Sequence, residues 1–132
     1  YATIIDTTGG GGSNNGWFIE YSATRGLIFF FGTGSSQILV EFPTTPPTNT
    51  WQHIAVCRSG GIVYVYLNGV SAASSSIATI GNPPTTTPVY IGSGGAQYYL
   101  NGYLYDLRIT KGYARYPNAT TFTPPTAALP TY

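Results

Sequence analysis

Charge is what this sequence has least of. Only 7% of its 132 residues are Asp, Glu, Lys or Arg, too few for helices laced by ion pairs or for a disordered polyelectrolyte. Five basic residues against four acidic ones leave a net charge of +1, which cannot neutralise the row of phosphates that a nucleic acid presents. No nucleic acid or acidic polymer is expected as a main partner. Methionine is absent, and cysteine and histidine occur once each. Cys57 therefore has no internal disulfide partner and, among apolar neighbours, reads as a buried inert thiol. His53, with no histidine or second cysteine and no serine and aspartate at suitable spacing, builds neither a zinc site nor a catalytic triad. The longest apolar run, Leu27 to Phe31, is far short of the roughly 20 residues that cross a bilayer, so no membrane insertion is expected. Lacking methionine and opening on Tyr1 in what already reads as a strand, the sequence is expected to be a fragment or a processed product.

Hydrophobic residues make up 42% and aromatics 15%, including twelve tyrosines, and glycine and proline are plentiful. The apolar residues recur with period two, and no stretch offers a capped helical face. Strands are predicted near residues 2–6, 16–22, 26–32, 37–42, 52–58, 62–67, 70–73, 89–92 and 103–110. Between them, residues 9–15, 43–50 and 81–88 are rich in residues that adopt positive φ or lack a backbone donor, and read as loops. Asn68-Gly69, between alternating runs, predicts a tight hairpin with both central residues at positive φ. Leu27, Phe29 and Phe31 against Ile28 and Phe30 mark a strand covered on both faces. Tyr103, Tyr105, Leu107 and Ile109 against Asp106, Arg108 and Thr110 mark one that is half exposed. That mixture predicts a single all-β domain of two stacked antiparallel sheets. Residues 1–112 would form the sandwich. Residues 113–132, with Pro117, Pro124, Pro125 and Pro130 and no periodicity, would form an extended strap of the same domain.

Four blocks of the sequence resemble a known family. They are Trp51-Gln52-His53-Ile54-Ala55-Val56, Val63-Tyr64-Val65-Tyr66-Leu67-Asn68-Gly69, Val89-Tyr90-Ile91-Gly92 and Gly102-Tyr103-Leu104-Tyr105-Asp106-Leu107-Arg108-Ile109. In order and spacing they are similar to the signature blocks of laminin G-like domains of the concanavalin A-like group, with the likeness running over residues 16–125. The ending, Arg108-Ile109-Thr110-Lys111-Gly112, Ala114-Arg115-Tyr116 and Phe122-Thr123-Pro124-Pro125, is similar to copies in tail and other structural proteins of bacteriophages. The resemblance implies a jelly-roll sandwich acting as a non-catalytic lectin on a virion appendage such as a phage tail fibre. Its partners would be host-surface carbohydrate and other virion proteins or copies of itself, and its location virion or extracellular. The alternative is a structural module that oligomerises or decorates a capsid or filament. Such domains usually begin with a strand like Phe-Thr-Ile-Glu-x-Trp, which the sequence lacks. The resemblance thus implies a first strand that is missing or comes from a neighbouring segment or chain. It also implies a structural hydrogen bond from His53 to a loop carbonyl. Laminin G-like domains often hold calcium at one edge through an Asp and backbone carbonyls, which makes Asp6, beside the 9–15 loop, the candidate ligand. No other cofactor is expected. Asp106, inside a predicted strand, is as well suited to pairing with Arg108 or capping a loop.

Chemistry separates the candidate sites. Glycosidases of this fold class need paired carboxylates around one glycosidic bond, whereas Asp6, Glu20, Glu41 and Asp106 lie in four separate segments, so no enzyme is expected. Aromatic faces stack on the C–H faces of sugar rings while amides and hydroxyls bond sugar hydroxyls. Tyr98, Tyr99 and Asn101 lie in a glycine-rich turn, and Trp17 follows Asn14-Asn15. If these loops share a rim, they form a glycan platform. The competing reading has Trp17, Trp51, Tyr64, Tyr66, Tyr103 and Tyr105 filling the sandwich or covering a sheet. Gly9 to Gly12 is followed by no Lys-Ser/Thr pair or helix, and reads as a flexible loop rather than a phosphate cradle. Asn118-Ala119-Thr120 fits a glycosylation sequon, meaningful only in a secreted eukaryotic protein.

Overall fold

Period-two patterning becomes structure where a strand finds a neighbour, and seven of the nine predicted segments do so at close to their expected bounds. A computed structural model describes residues 1–10, 14–76, 81–83, 87–117, 121–128 and 130. Its strands are β1 (Ala2–Asp6), β2 (Asn15–Ser22), β3 (Gly26–Thr33), β4 (Gln37–Phe42), β5 (Ile54–Ser59), β6 (Ile62–Leu67), β7 (Val70–Ser76) and β8 (Tyr90–Ile91). They form two antiparallel sheets, ordered β4-β3-β2-β1-β8 and β5-β6-β7. Among the described residues there is no helix, and hence none long and apolar enough to cross a membrane. The predicted all-β, two-sheet sandwich is the observed architecture.

Register decides which residues meet. Across β2, β3 and β4 the rows Trp17–Phe31–Ile38, Ile19–Phe29–Val40 and Tyr21–Leu27–Phe42 alternate with the rows Phe18–Phe30–Leu39 and Glu20–Ile28–Glu41. The first set faces the second sheet. There Leu27, Phe29, Phe31 and Val40 pack on Val63 and Val65, flanked by Ile54 and Val56. Each such side chain is worth roughly 1.5–3 kcal/mol when fully buried. A register shift between Thr3 and Ile5 lets both Ile4 and Ile5 line the inter-sheet space. Cys57 is buried and free, as expected.

The hairpin between β6 and β7 is the predicted one, with Asn68 at φ 52 and Gly69 at φ 80. The Asn68 amide accepts the His53 backbone N–H at 2.9 Å and donates to Gln52 at 2.6 Å. This pins Gln52 and His53 outside the ladder, so β5 starts at Ile54. The Phe122 N–H donates to the Gly69 carbonyl, and Tyr116 and Phe122 stack 3.6 Å apart. Both rings meet fully buried Tyr66 edge-on, whose hydroxyl donates to the Tyr116 carbonyl at 2.8 Å. Tyr116 and Phe122 thus cover the outer face of the three-stranded sheet at Tyr66. The sequon at 118–120 and residues 11–13 of the first loop lie outside the described residues.

Two predicted strands differ. That at 89–92 shrinks to Tyr90–Ile91, because Gly92 at φ 75 turns the chain into the Gly94–Gln97 bridge. That at 103–110 does not form, since Asp106 at φ 57 interrupts the extended backbone and none of the described strands pairs with the segment. Alternation makes a segment competent to pair, but a strand needs a partner. The sandwich is closed where β4 touches β7. On the side of β5 it opens into a cleft of about 1550 Å³, along which the 103–116 segment lies.

Candidate ligand-binding site

The outer face of the five-stranded sheet is unusual in being apolar. Phe18 and Phe30, cross-strand partners, stack at 4.8 Å and 9°, and with Ile28 and Leu39 make a greasy floor. Beside it runs a polar row: Thr3, Glu20 and Glu41, joined through Ile28. The turn after β8 brings Tyr98 over this floor. Its backbone, at φ 56, accepts the Thr3 N–H at 2.8 Å, and its ring meets Tyr1 edge-on at 5.6 Å. Arg25 comes from the β2–β3 turn, where the Ser22 hydroxyl accepts its N–H, and pairs with Glu41. Tyr1, Phe18, Glu20, Arg25, Ile28, Leu39 and Tyr98 line a cleft of about 270 Å³. That is just under the roughly 300 Å³ at which small-molecule pockets begin, and suits one ring-sized unit.

The carboxylates of this face are committed. Glu20 accepts the Thr3 hydroxyl at 2.9 Å, while Glu41 is held by Arg25. Burial pushes the Glu20 carboxyl above its ordinary 4.5, with the nearby negative Asp6 adding to the rise against the Thr3 hydrogen bond. A raised acid pKa means that the folded state binds more protons than the unfolded chain, so stability falls as pH rises from about 4.5 through the folded value. Glu20→Gln, which keeps an acceptor for Thr3, is expected to gain stability over the parent at neutral pH. The gain should vanish below the unfolded pKa. Urea melts at acid and neutral pH check this, and equal differences at both would contradict it.

Residues 1–116 match the sequence model of a laminin G-like family, described as the concanavalin A-like lectin/glucanases superfamily. The chain belongs to this family. Searches of curated proteins and of solved structures return no match. Laminin G-like and concanavalin A-like domains are often carbohydrate-binding and generally non-catalytic.

Within this laminin G-like domain the sequence-predicted residues divide between places. Tyr98 lines the cleft; Tyr99, 67% exposed, and exposed Asn101 follow it on the surface. Trp17 lies on the opposite face of the sheet, packed on the core and lining the inter-sheet space. Asn14 and Asn15 sit at the far end of β2, where the Asn14 carbonyl accepts the Gly34 N–H of the β3–β4 turn. Asp6 is buried, and its Oδ1 accepts the Thr8 N–H at 2.5 Å and the Thr8 hydroxyl at 2.7 Å, which fixes the turn leaving β1. No group of three His, Cys, Asp or Glu gathers among the described residues. The expected bond from the His53 ring to a loop carbonyl is not what the structure shows. Its Nδ1 is buried with no hydrogen-bond partner among the described residues, the ring packs edge-on against Tyr116 and Phe122, and burial pushes its pKa down. The backbone of His53, not the imidazole, makes the hydrogen bonds to Asn68.

Four cleft residues, Tyr1, Phe18, Arg25 and Leu39, are not among the candidate site residues that the sequence offers. Glu20 and Glu41 lie in separate segments of the sequence, yet pairing puts them in one row two strands apart. The available signal was the apolar run of β3. A strand greasy on both faces needs a second cover, and here β2, β4 and Tyr98 supply it.

Proposed function

We propose that this domain is a non-catalytic, lectin-like module that holds one sugar unit of a host-surface glycan in the outer-face cleft, carried on a virion appendage such as a phage tail fibre. The observation that carries the reading is the Tyr1–Tyr98 pair standing over an apolar floor edged by Glu20 and Arg25. Rings of this kind stack on sugar C–H faces, while the Glu20 and Arg25 edge groups bond hydroxyls. Tyr99 and Asn101 extend the rim towards neighbouring units of the chain. The family supports a carbohydrate ligand, and the likeness of the ending to phage tail copies supports the virion setting. Because Arg25 is already paired with Glu41 and a neutral sugar is held by stacking and hydrogen bonds, binding is expected to depend little on salt.

Tyr98→Ala is expected to weaken binding ten- to a hundredfold, about 1 to 3 kcal/mol, and to leave the fold intact, since Tyr98 is 41% exposed. Glycan arrays and host surface polysaccharide, with circular dichroism as the folding control, provide the test. Equal binding by parent and mutant would remove the cleft from the reading. Absence of binding to any glycan would favour the structural module, and release of reducing ends from a bound glycan would overturn the non-catalytic assignment.

A further inference from the structure

The floor of the outer-face cleft suits a group that a plain sugar ring does not carry. It is lined by the hydrocarbon side chains of Phe18, Ile28 and Leu39, with Phe18 stacked on Phe30 at 4.8 Å. A hexose bears a hydroxyl on most of its carbons, and a hydroxyl pressed on that floor would lose water and gain no bond. The C–H faces of the ring have the Tyr1–Tyr98 pair to stack on. What the floor takes is therefore a small apolar substituent such as a methyl group. The polar edge narrows the choice. Glu20 is the cross-strand partner of Ile28, which is in turn the partner of Glu41, and Arg25 is held at Glu41. An acceptor-only carboxylate and a donor-only guanidinium thus flank Ile28 from opposite sides. The backbones of Glu20 and Glu41 lie roughly 10 Å apart across two strand spacings. The Thr3 hydroxyl occupies one acceptor position of Glu20 and Glu41 one N–H group of Arg25, and both groups can form further bonds.

We propose that the sugar unit held in this cleft is an N-acetylated hexosamine. Its methyl group lies on Phe18, Ile28 and Leu39, its amide N–H donates to Glu20, and its amide carbonyl accepts from Arg25. The inference rests on the glycan reading of the same cleft and names the class of sugar. A trans amide points its N–H and its C=O in opposite directions and reaches partners roughly 8 Å apart, a span that side chains leaning in from rows two strands apart can close. One substituent then meets the apolar floor, the acceptor and the donor together, and the remaining bonds of Glu20 and Arg25 go to neighbouring hydroxyls. Other sugars meet only part of this set. A 6-deoxyhexose brings a methyl group but no amide. An unacetylated amino sugar brings a cation that Glu20 attracts and Arg25 repels, and leaves the floor bare. A plain hexose brings neither methyl nor amide.

The test compares sugars that differ in one substituent. Methyl glycosides of the gluco and galacto series, each with a hydroxyl, an amine or an acetamido group on the second carbon, are titrated into the full chain by protein-observed NMR, with a 6-deoxyhexose as a further arm. The acetamido member of one series is expected to bind at least tenfold more tightly than its hydroxyl and amino counterparts and than the 6-deoxy sugar. Leu39→Ala, at a position 42% exposed, is expected to remove most of that advantage while changing binding of the hydroxyl member less than twofold. Arg25→Ala is expected to do the same. It keeps the backbone N–H that Ser22 accepts, and circular dichroism checks both folds. Equal binding of the hydroxyl and acetamido members, or tighter binding of the 6-deoxy sugar, would overturn the inference and leave the glycan reading standing. An acetamido preference that neither variant reduces would also overturn it, since the amide would then lie elsewhere. Binding of no sugar in any arm would overturn the inference together with the glycan reading.

Discussion

Gly69→Val is expected to cost about 3 kcal/mol or more of folding stability, combining backbone strain with steric overlap. Gly69 sits at φ 80, a region that a β-branched side chain resists strongly. A Cβ there would also overlap the Phe122 carbonyl oxygen and press on Pro124. Relief by local movement is blocked. The Gly69 carbonyl accepts the Phe122 N–H, and Phe122 is in turn stacked on Tyr116 and packed on Tyr66. The strap must lift or the hairpin must open, and either exposes Tyr66. Gly60, in the β5–β6 turn, is the control. It too has positive φ, at 57, but nothing lies within 4 Å of a Cβ there, so Gly60→Ala should cost only about 1 to 2 kcal/mol. Urea unfolding of both, with limited proteolysis of the strap, measures the difference. A Gly69→Val loss no greater than that of Gly60→Ala would mean that the strap does not hold the hairpin.

That hairpin was legible from two letters because its cause is local. Only residues tolerant of positive φ can occupy both centres of the turn, and Asn68-Gly69 is such a pair. The strands β1 to β7 were legible for the same reason, being alternating runs bounded by glycine, proline and polar clusters. Residues 103–110 show the limit of that argument. Their pattern is as regular as that of β6, but pairing depends on an edge far away in sequence, which local pattern cannot report. The side on which Trp17 points was in fact readable. Trp17, Ile19 and Tyr21 share one parity on β2, whereas Glu20 shares the other with Phe18, so a charged residue marked the outer face. The cleft itself was not readable. It needs the β2–β3–β4 register to bring Glu20 and Glu41 into line, and it needs Tyr98 to arrive from a turn nearly eighty residues after β2.

Because neighbouring residues of one strand face opposite ways, mutations on the two faces should have separable consequences. Phe29→Ala is expected to cost about 4 kcal/mol, within the roughly 3–5 kcal/mol range for removing a buried phenyl ring. Phe29 is 5% exposed and lies in the centre of the core, in the row Ile19–Phe29–Val40 and beside Phe31. The facing sheet supplies Val63 and Val65, whose own ladders to β5 and β7 hinder them from moving in to fill the void. Against a total stability of roughly 5–15 kcal/mol for a domain of this kind, that loss is a large share of the whole. The outer face offers the comparison. Leu39, on the neighbouring strand β4, is 42% exposed and lines the cleft, so Leu39→Ala should cost less than about 1 kcal/mol of stability yet weaken glycan binding. Phe29→Ala, in the fraction that remains folded, should bind as the parent does. Equilibrium unfolding and binding isotherms on both variants give the answer. If Phe29→Ala proves as mild as Leu39→Ala, the inner row is not the core, and the assignment of inner and outer faces would be reversed.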